Sequence, residues 1–333
     1  MAITYRSNPL LKTIIKDADW KGTPVDQQGR FMNLSHPYAA NFVEVIRWKM
    51  KTNPFEQEKK ADHWQLEVYK DDAWLEGEED LIVWFGHASF YIRIGGIRLL
   101  IDPVFGDIPF YHRKSALPVN PERIRRLDYL LLSHDHRDHC DKGSLQVLAR
   151  NNPSMKYLSG LGMEQLIHGI THSTNIETAG WYQQFNTDHQ AVNITFIPSQ
   201  HWAKRGMFDT NKRLWGGFVI EANGKRIYFG GDGGYDGHYK QLQQVYGSFD
   251  YALLGIGAYE PVWFMHLIHQ SPEEALKGLK DLNARHLIPM HYGTFDLSDE
   301  PLGTPLRELY RIAAAEGLKD KIMALSPGKP LYI

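Results

Sequence analysis

Leu131-Leu132-Ser133-His134-Asp135-His136-Arg137-Asp138-His139-Cys140-Asp141 decides how the rest of this chain is read. It continues an apolar run, Tyr129–Leu132, of the kind that forms a buried strand, and a helical pattern starts at about residue 142. In extended backbone alternate side chains share a face, so His134 and His136 can reach one cation from the same side of a strand end. Asp138 and His139 fall where the chain turns into the helix, and from there they can face a second cation beside the first. Four potential ligands in six residues are hard to explain as packing or as a solvated loop.

Three later residues extend the set. His201 follows NITFIPSQ (193–200), Asp232 follows RIYFGG (226–231) and His291 follows HLIPM (286–290). Ends of strands in layered α/β proteins are where site residues collect. Asp232 stands between Gly230-Gly231 and Gly233-Gly234, and glycine permits both a tight turn and a close approach. Taken singly, each residue would read as a core histidine or a turn aspartate. In this order behind H-x-H-x-D-H they read as ligands.

Composition narrows the chemistry. Sixteen histidines stand against one cysteine in 333 residues, so Cys140 can neither close an internal disulfide nor build a thiolate-rich zinc site. Any metal is held by imidazole and carboxylate, the donor set of catalytic sites that keep a position open. The 37 basic and 39 acidic side chains leave a net charge of −2, which supplies no field for nucleic acid, and Arg123, Arg125 and Arg126 read as a solvated face. No nucleic-acid partner is expected. The N-terminus lacks the apolar core of a signal peptide, and no run approaches the ~18 apolar residues of a membrane span. The expectation is a cytoplasmic protein, with peripheral membrane contact left open because it leaves no such signature.

Residues 1–75 are polar and broken by Pro9, Pro24, Pro37 and Pro54, with one helical candidate around Tyr38–Met50. They read as an N-terminal arm packed on a core. From residue 76 to 333 short β-rich runs (81–85, 89–94, 97–101, 128–133, 193–198, 217–222, 226–231, 250–256) alternate with helical patterns (142–150, 162–169, 237–246, 272–283, 304–316). Ser271-Pro272-Glu273-Glu274 supplies an N-cap, a proline at the first turn and a capping-box glutamate, and Thr304-Pro305 predicts a similar start. Sheets covered by helices, in one α/β domain, follow from that alternation.

H-x-H-x-D-H followed by His, Asp and His resembles the metallo-β-lactamase superfamily. Within it the chain is similar to the N-acylphosphatidylethanolamine-hydrolysing phospholipase D group and its bacterial relatives. The matching stretches are WFGHASF (84–90), IDPVF (101–105), SHDHRDH (133–139), PSQHWAKR (198–205), GGDGGY (230–235), GAYEPVWFM (257–265), HQSPEEA (269–275) and MHYGTF (290–295), and GRFMN (29–33) in the arm is similar as well. The resemblance implies an α/β (α+β) fold of the αββα sandwich type, two mixed β-sheets flanked by helices, with two Zn2+ per chain. One zinc would rest on His134, His136 and His201, the other on Asp138, His139 and His291, with Asp232 bridging them and a hydroxide between the metals as nucleophile. His269 matches an active-site histidine that is not a ligand and would handle the phosphoryl oxygen. A homodimer is implied too.

No G-x-S-x-G and no P-loop is present, so no serine or nucleotide chemistry competes. His87 and Asp102, inside matched segments, are expected to support the ligands, with Asp102 accepting the second N–H of a ligating imidazole. The other nine histidines (His36, His63, His112, His168, His172, His189, His238, His266 and His286) carry no expectation beyond packing or solvent. Trp202, Tyr292, Phe295 and Trp263-Phe264-Met265 flank the proposed ligands and would suit an acyl-chain groove. The expected reaction is phospholipase D-type cleavage of N-acylphosphatidylethanolamine-like lipids to phosphatidic acid and an N-acylethanolamine. Two alternatives stand: a lactonase or other small-molecule hydrolase on the same site, and a non-hydrolytic metal-binding or redox protein. His136 argues against the redox reading, because diiron redox relatives place a carboxylate there. His266, where the lipases carry a basic residue, and YDGHYK (235–240), without a close counterpart, depart from the lipase pattern.

Overall fold

Every residue of Leu81–Phe85 is apolar because both faces of its strand are covered. Ile82 and Trp84 enter one hydrophobic cluster, while Leu81, Val83 and Phe85 enter another. That is the two-residue alternation of a strand packed on both sides. The structure is a computed structural model describing residues 3–38, 42–187 and 191–333, so His189 lies outside the described residues.

The first strands are β1 (Thr4–Arg6), β2 (Lys12–Thr13) and β3 (Thr23–Val25). Then come β4 (Leu81–Gly86), β5 (Ser89–Ile94), β6 (Ile97–Ile101), β7 (Tyr129–Leu132), β8 (Lys156–Gly160) and β9 (Ile176–Ala179). The later strands are β10 (Gln183–Gln184), β11 (Val192–Ile197), β12 (Gly217–Ala222), β13 (Lys225–Phe229), β14 (Phe249–Gly255), β15 (Ala284–Met290) and β16 (Leu331–Tyr332). One seven-stranded sheet has the order β16-β4-β5-β6-β7-β8-β9, the other β15-β14-β13-β12-β11-β10-β2, and β1 pairs with β3 alone. Both large sheets are mixed: β4-β5-β6 is antiparallel and β6-β7-β8-β9 parallel, β11-β12-β13 antiparallel and β13-β14-β15 parallel.

The helices are α1 (Phe42–Met50), α2 (Glu56–Ala61), α3 (Lys142–Asn151), α4 (Glu164–Thr171), α5 (His238–Tyr246), α6 (Val262–Met265), α7 (Pro272–Asp281) and α8 (Thr304–Ala315). Leu145 and Leu148 of α3 and Ile167 of α4 cover Leu130 and Leu132 on the outside of the first sheet. Leu242 of α5 and Leu276 and Leu279 of α7 join the cluster that fills the space between the sheets and around the second one. The layering is the αββα arrangement, a metallo-β-lactamase fold. No helix among the described residues is long and apolar enough to cross a membrane.

One of the two expected helix starts is as read and the other needs correction. At α7 the capping box forms as expected, Ser271 Oγ accepting from the Glu274 N–H at 3.3 Å and Glu274 Oε2 from the Ser271 N–H at 2.8 Å. Thr304 caps nothing: it is already the first residue of α8, and Gly303 precedes it without a side-chain cap. Strands β8 and β9 had no clear sequence pattern, and β15 contains Pro289. That proline is tolerated because β15 lies at a sheet edge.

At the end of the sandwich where the parallel strands finish, the two sheets approach closely enough to require glycine. A Cβ on Gly160, which ends β8, would run into the Leu214 carbonyl of the segment leading into β12, and one on Gly231, whose φ is 62°, would run into the Gly216 carbonyl and press on Ser133 Cβ beyond the end of β7.

Candidate metal centre

The H-x-H-x-D-H segment leaves β7 and doubles back on itself. The His136 carbonyl accepts from the His139 N–H at 3.2 Å and the Cys140 N–H at 2.8 Å, and Asp141 caps α3 by accepting from the Ser144 N–H at 2.7 Å. This turn sets Asp138 and His139 beside, not beyond, His134 and His136. The opposite sheet supplies the rest: His201 follows β11, Asp232 follows β13 and His291 follows β15.

All seven expected ligands meet in one buried cluster. His134 Nε2 lies 2.8 Å from His136 Nδ1, which is 3.3 Å from His201 Nε2. Asp232 Oδ2 is the hub, 3.1 Å from both His139 Nε2 and His291 Nε2 and 3.9 Å from His201 Nε2. Asp138 Oδ2 stands 3.6 Å from His139 Nε2 and 3.7 Å from His291 Nε2. The donor atoms of His134, His136 and His201 form one compact group, and those of His87, Asp138, His139 and His291 another.

Such an arrangement has no use as a hydrogen-bond network. His291 Nε2 and Asp232 Oδ1 are buried without a hydrogen-bond partner among the described residues, and buried polar atoms are rarely left so. Five imidazoles and two carboxylates converging without a thiolate fit a pair of divalent cations, and zinc takes such nitrogen and oxygen donors.

The charge states agree. Burial works against the charges of Asp138 and Asp232, but His139 and its neighbours hold both carboxyls well below the ordinary range. Burial pushes the His134 and His201 imidazoles well below their ordinary value. On the carboxylate side burial is outweighed, Asp232 first among the causes, so that His139 is raised well above its ordinary value and His291 to about 9. Bound cations would take the place of those protons.

A supporting layer aims the rings. His139 Nδ1 donates to Asp102 Oδ2 at 2.8 Å, as expected for that aspartate. Burial raises the Asp102 carboxyl, with His139 and Ser133 pulling the other way. His201 Nδ1 donates to the Ile268 carbonyl at 2.9 Å, and Ser133 Oγ lies 2.9 Å from His134 Nδ1. Asn33 was not singled out from the sequence. Its amide clamps residue 201 through Nδ2 to the His201 carbonyl at 2.9 Å and the His201 N–H to Oδ1 at 3.2 Å. The only signal for it was its place in GRFMN. Ser133 and Thr294 had the same kind of signal and no other, their places in SHDHRDH and MHYGTF.

His269 joins the cluster rather than the surface. Its Nδ1 is 3.9 Å from Asp232 Oδ2, its ring is 5.0 Å from that of His291, and its side chain remains 15% exposed. Burial lowers its imidazole to about 4. It lines a cavity of about 530 Å3 together with Tyr259, Val262, His266 and Lys277. The flanking aromatics divide. Trp202 packs 4.7 Å from the His136 ring and Phe295 5.1 Å from that of His87, whereas Tyr292 stacks on Trp84 and Phe264 packs on Trp48. His168 and His172 make no metal pair: His172 is the left-handed C-cap of α4 and His168 Nδ1 bonds the Ser173 carbonyl.

Fold and donor set together define a metal-dependent hydrolase. Residues 97–292 match the family described as the Beta-lactamase superfamily domain, and the chain belongs to the metallo-β-lactamase superfamily. It is 33% identical over 259 residues to an N-acyl-phosphatidylethanolamine-hydrolyzing phospholipase D of Caenorhabditis elegans, covering 71% of each chain. It is 28% identical over 254 residues to a metal-dependent hydrolase of Pyrococcus furiosus, covering 76% of this chain and 99% of that one. Among solved structures it resembles the isothiocyanate hydrolase from Delia radicum gut bacteria, with a TM-score of 0.61 at 19% identity over 76% of this chain and 99% of the other.

Proposed function

We propose that this chain is a zinc-dependent phosphodiesterase of the phospholipase D type, acting on N-acylphosphatidylethanolamine-like lipids. His134, His136 and His201 would hold one ion and Asp138, His139 and His291 the second, with Asp232 shared. When bound, the two ions supply Lewis acidity and neutralise charge on the phosphoryl group. Asp138 and Asp232 stay ionised at neutral pH, so they are always available as ligands. His269 is neutral there, because burial lowers it to about 4, and so offers one N–H to a phosphoryl oxygen without bringing a competing positive charge.

The observation on this chain that favours a lipid is a fringe of exposed apolar side chains on segments that follow the site-ward ends of strands. Phe110, fully exposed, follows β6, Met207 and Phe208 follow β11, and Val262 and Trp263 follow β14. Tyr111, next to Phe110, packs with Phe295, and Arg205, two residues before Met207, donates to the carbonyls of Asp135 and Cys140. Arg47 and Lys51 lie over the Trp263 ring at 5.4 and 4.7 Å, a pairing of cation and aromatic suited to an anionic lipid surface. The likeness to the nematode phospholipase supports the same reading.

The test incubates zinc-loaded protein with N-acylphosphatidylethanolamine in vesicles and in mixed micelles, with a simple γ-lactone in parallel. Release of N-acylethanolamine and phosphatidic acid, measured by mass spectrometry, is expected. Lactone opening without lipid cleavage in either form would replace this reading with a small-molecule hydrolase. Iron in the purified protein with redox turnover would remove hydrolysis altogether.

A further inference from the structure

His87 occupies the turn between β4 and β5 with φ at 53°, a left-handed conformation that L side chains avoid, and it is 1% exposed. Its backbone is fully engaged. The N–H donates to Thr294 Oγ1 at 2.7 Å, and the carbonyl accepts from Trp84 Nε1 at 2.8 Å and from the His291 N–H at 3.0 Å. Glycine would make all three bonds and would be at ease in that conformation. The imidazole therefore needs a reason of its own.

The ring provides one. Its Nε2 lies 3.0 Å from Asp138 Oδ2, within hydrogen-bond reach of a carboxylate that a ring N–H can hold in place. The ring centre is 4.0 Å from that of His291. Among the described residues no left-handed residue bonds the rings of the other half directly: His134 and His201 take their orientation from Ser133 Oγ and from the Ile268 carbonyl.

We propose that His87 is a positioning residue for one ion alone, the one held by Asp138, His139 and His291. Its ring fixes the Asp138 carboxylate and its carbonyl fixes the His291 backbone, so two ligands from opposite sheets take their places from one strained residue. This assignment rests on the two-ion reading above.

The variant His87→Gly separates the ring from the backbone. Zinc per chain is measured by elemental analysis, and each ion's affinity by competition with a chromophoric chelator, for wild type and variant alike. Wild type is expected to take two ions. The variant should bind the first as tightly as wild type and the second about 10- to 100-fold more weakly, with a metal-free melting temperature no lower than that of wild type. Unchanged affinities for both ions, or equal weakening of both, overturn the assignment while leaving two ions in place. Complete loss of the second ion at millimolar zinc makes His87 a ligand and overturns the positioning role. A wild type that takes one ion overturns the two-ion reading and this assignment with it. Should the glycine variant not fold, His87→Asn, which tolerates the left-handed backbone and is too short to reach Asp138, answers by the same measurement.

Discussion

Replacing Asp102 with asparagine keeps the shape of a fully buried side chain and exchanges one oxygen for an amide nitrogen. Three donors are aimed at that carboxylate: the Ser133 N–H on Oδ1 at 2.8 Å, and Ser133 Oγ and His139 Nδ1 on Oδ2, the last at 2.8 Å. The asparagine oxygen can serve only one side. Turned towards His139, it would set its NH2 against the Ser133 backbone N–H, two donors face to face on a backbone that cannot rotate away. Turned towards Ser133, it points the NH2 at His139 Nδ1, which must then accept. The imidazole proton moves to Nε2, the atom 3.1 Å from Asp232 that a cation needs bare. A hydrogen bond to a charged group contributes about 1.5–3 kcal/mol. At 1.36 kcal/mol for each factor of ten, that is about 10- to 150-fold in affinity for the ion on His139. Chelator competition reads it directly, and the ion on His134, His136 and His201 is expected to keep its affinity within about twofold, since Asp102 touches none of those rings except through Ser133. Wild-type affinity for both ions in Asp102→Asn would refute the tautomer argument, and with it the idea that Asp102 acts through His139.

Asp232→Asn is expected to lower zinc per chain and abolish hydrolysis, because the hub atom Oδ2 faces four imidazoles; two ions with full activity would show that it bridges nothing. His269→Ala should retain its zinc and lose turnover by about 100- to 1,000-fold, and undiminished turnover would place His269 outside the chemistry. Burial opposes the charge of Asp209, yet the Gly206 N–H and Arg213 outweigh it and keep the carboxyl below its ordinary value. Its contribution to stability is then complete above about pH 4 and drains away as pH falls through the lower folded value. Melting curves of wild type and Asp209→Asn should differ at pH 7 and converge towards pH 3; a gap independent of pH would assign the effect to shape.

How much of this centre could be read from the chain depends on distance along it. H-x-H-x-D-H was visible because one strand end and one turn bring four donors together locally. His201, Asp232 and His291 were visible because each ends an apolar run, and the strand geometry carries them to the same end of the sandwich. Asp102 could be anticipated from the need of a ligating imidazole for an acceptor. The bonds of Asn33 to residue 201 and of His87 to Asp138 span 168 and 51 residues, and no spacing rule reaches across such separations. Tyr292 follows His291 directly, and yet at this turn the adjacent side chains diverge, His291 to Asp232 and Tyr292 to Trp84, which no spacing rule indicates. In the fold, the runs with apolar residues on both faces were plain. Strands β8 and β9 were not: KYLSG and IETA are short and lack the alternation that marks a half-exposed strand.

The glycines where the sheets meet have an evolutionary consequence. With no room for a methyl group at Gly160 or Gly231, the distance between the two ligand-bearing sheets cannot drift through a series of small, individually tolerated changes. A lineage carrying this chain can therefore explore new substrates only from the outer segments, such as those bearing Phe110, Phe208 and Trp263, whose exposed side chains can be exchanged one at a time. The floor is inherited as a unit and the rim is open to trial, so related enzymes would be expected to diverge first in what they hold and last in how they cut.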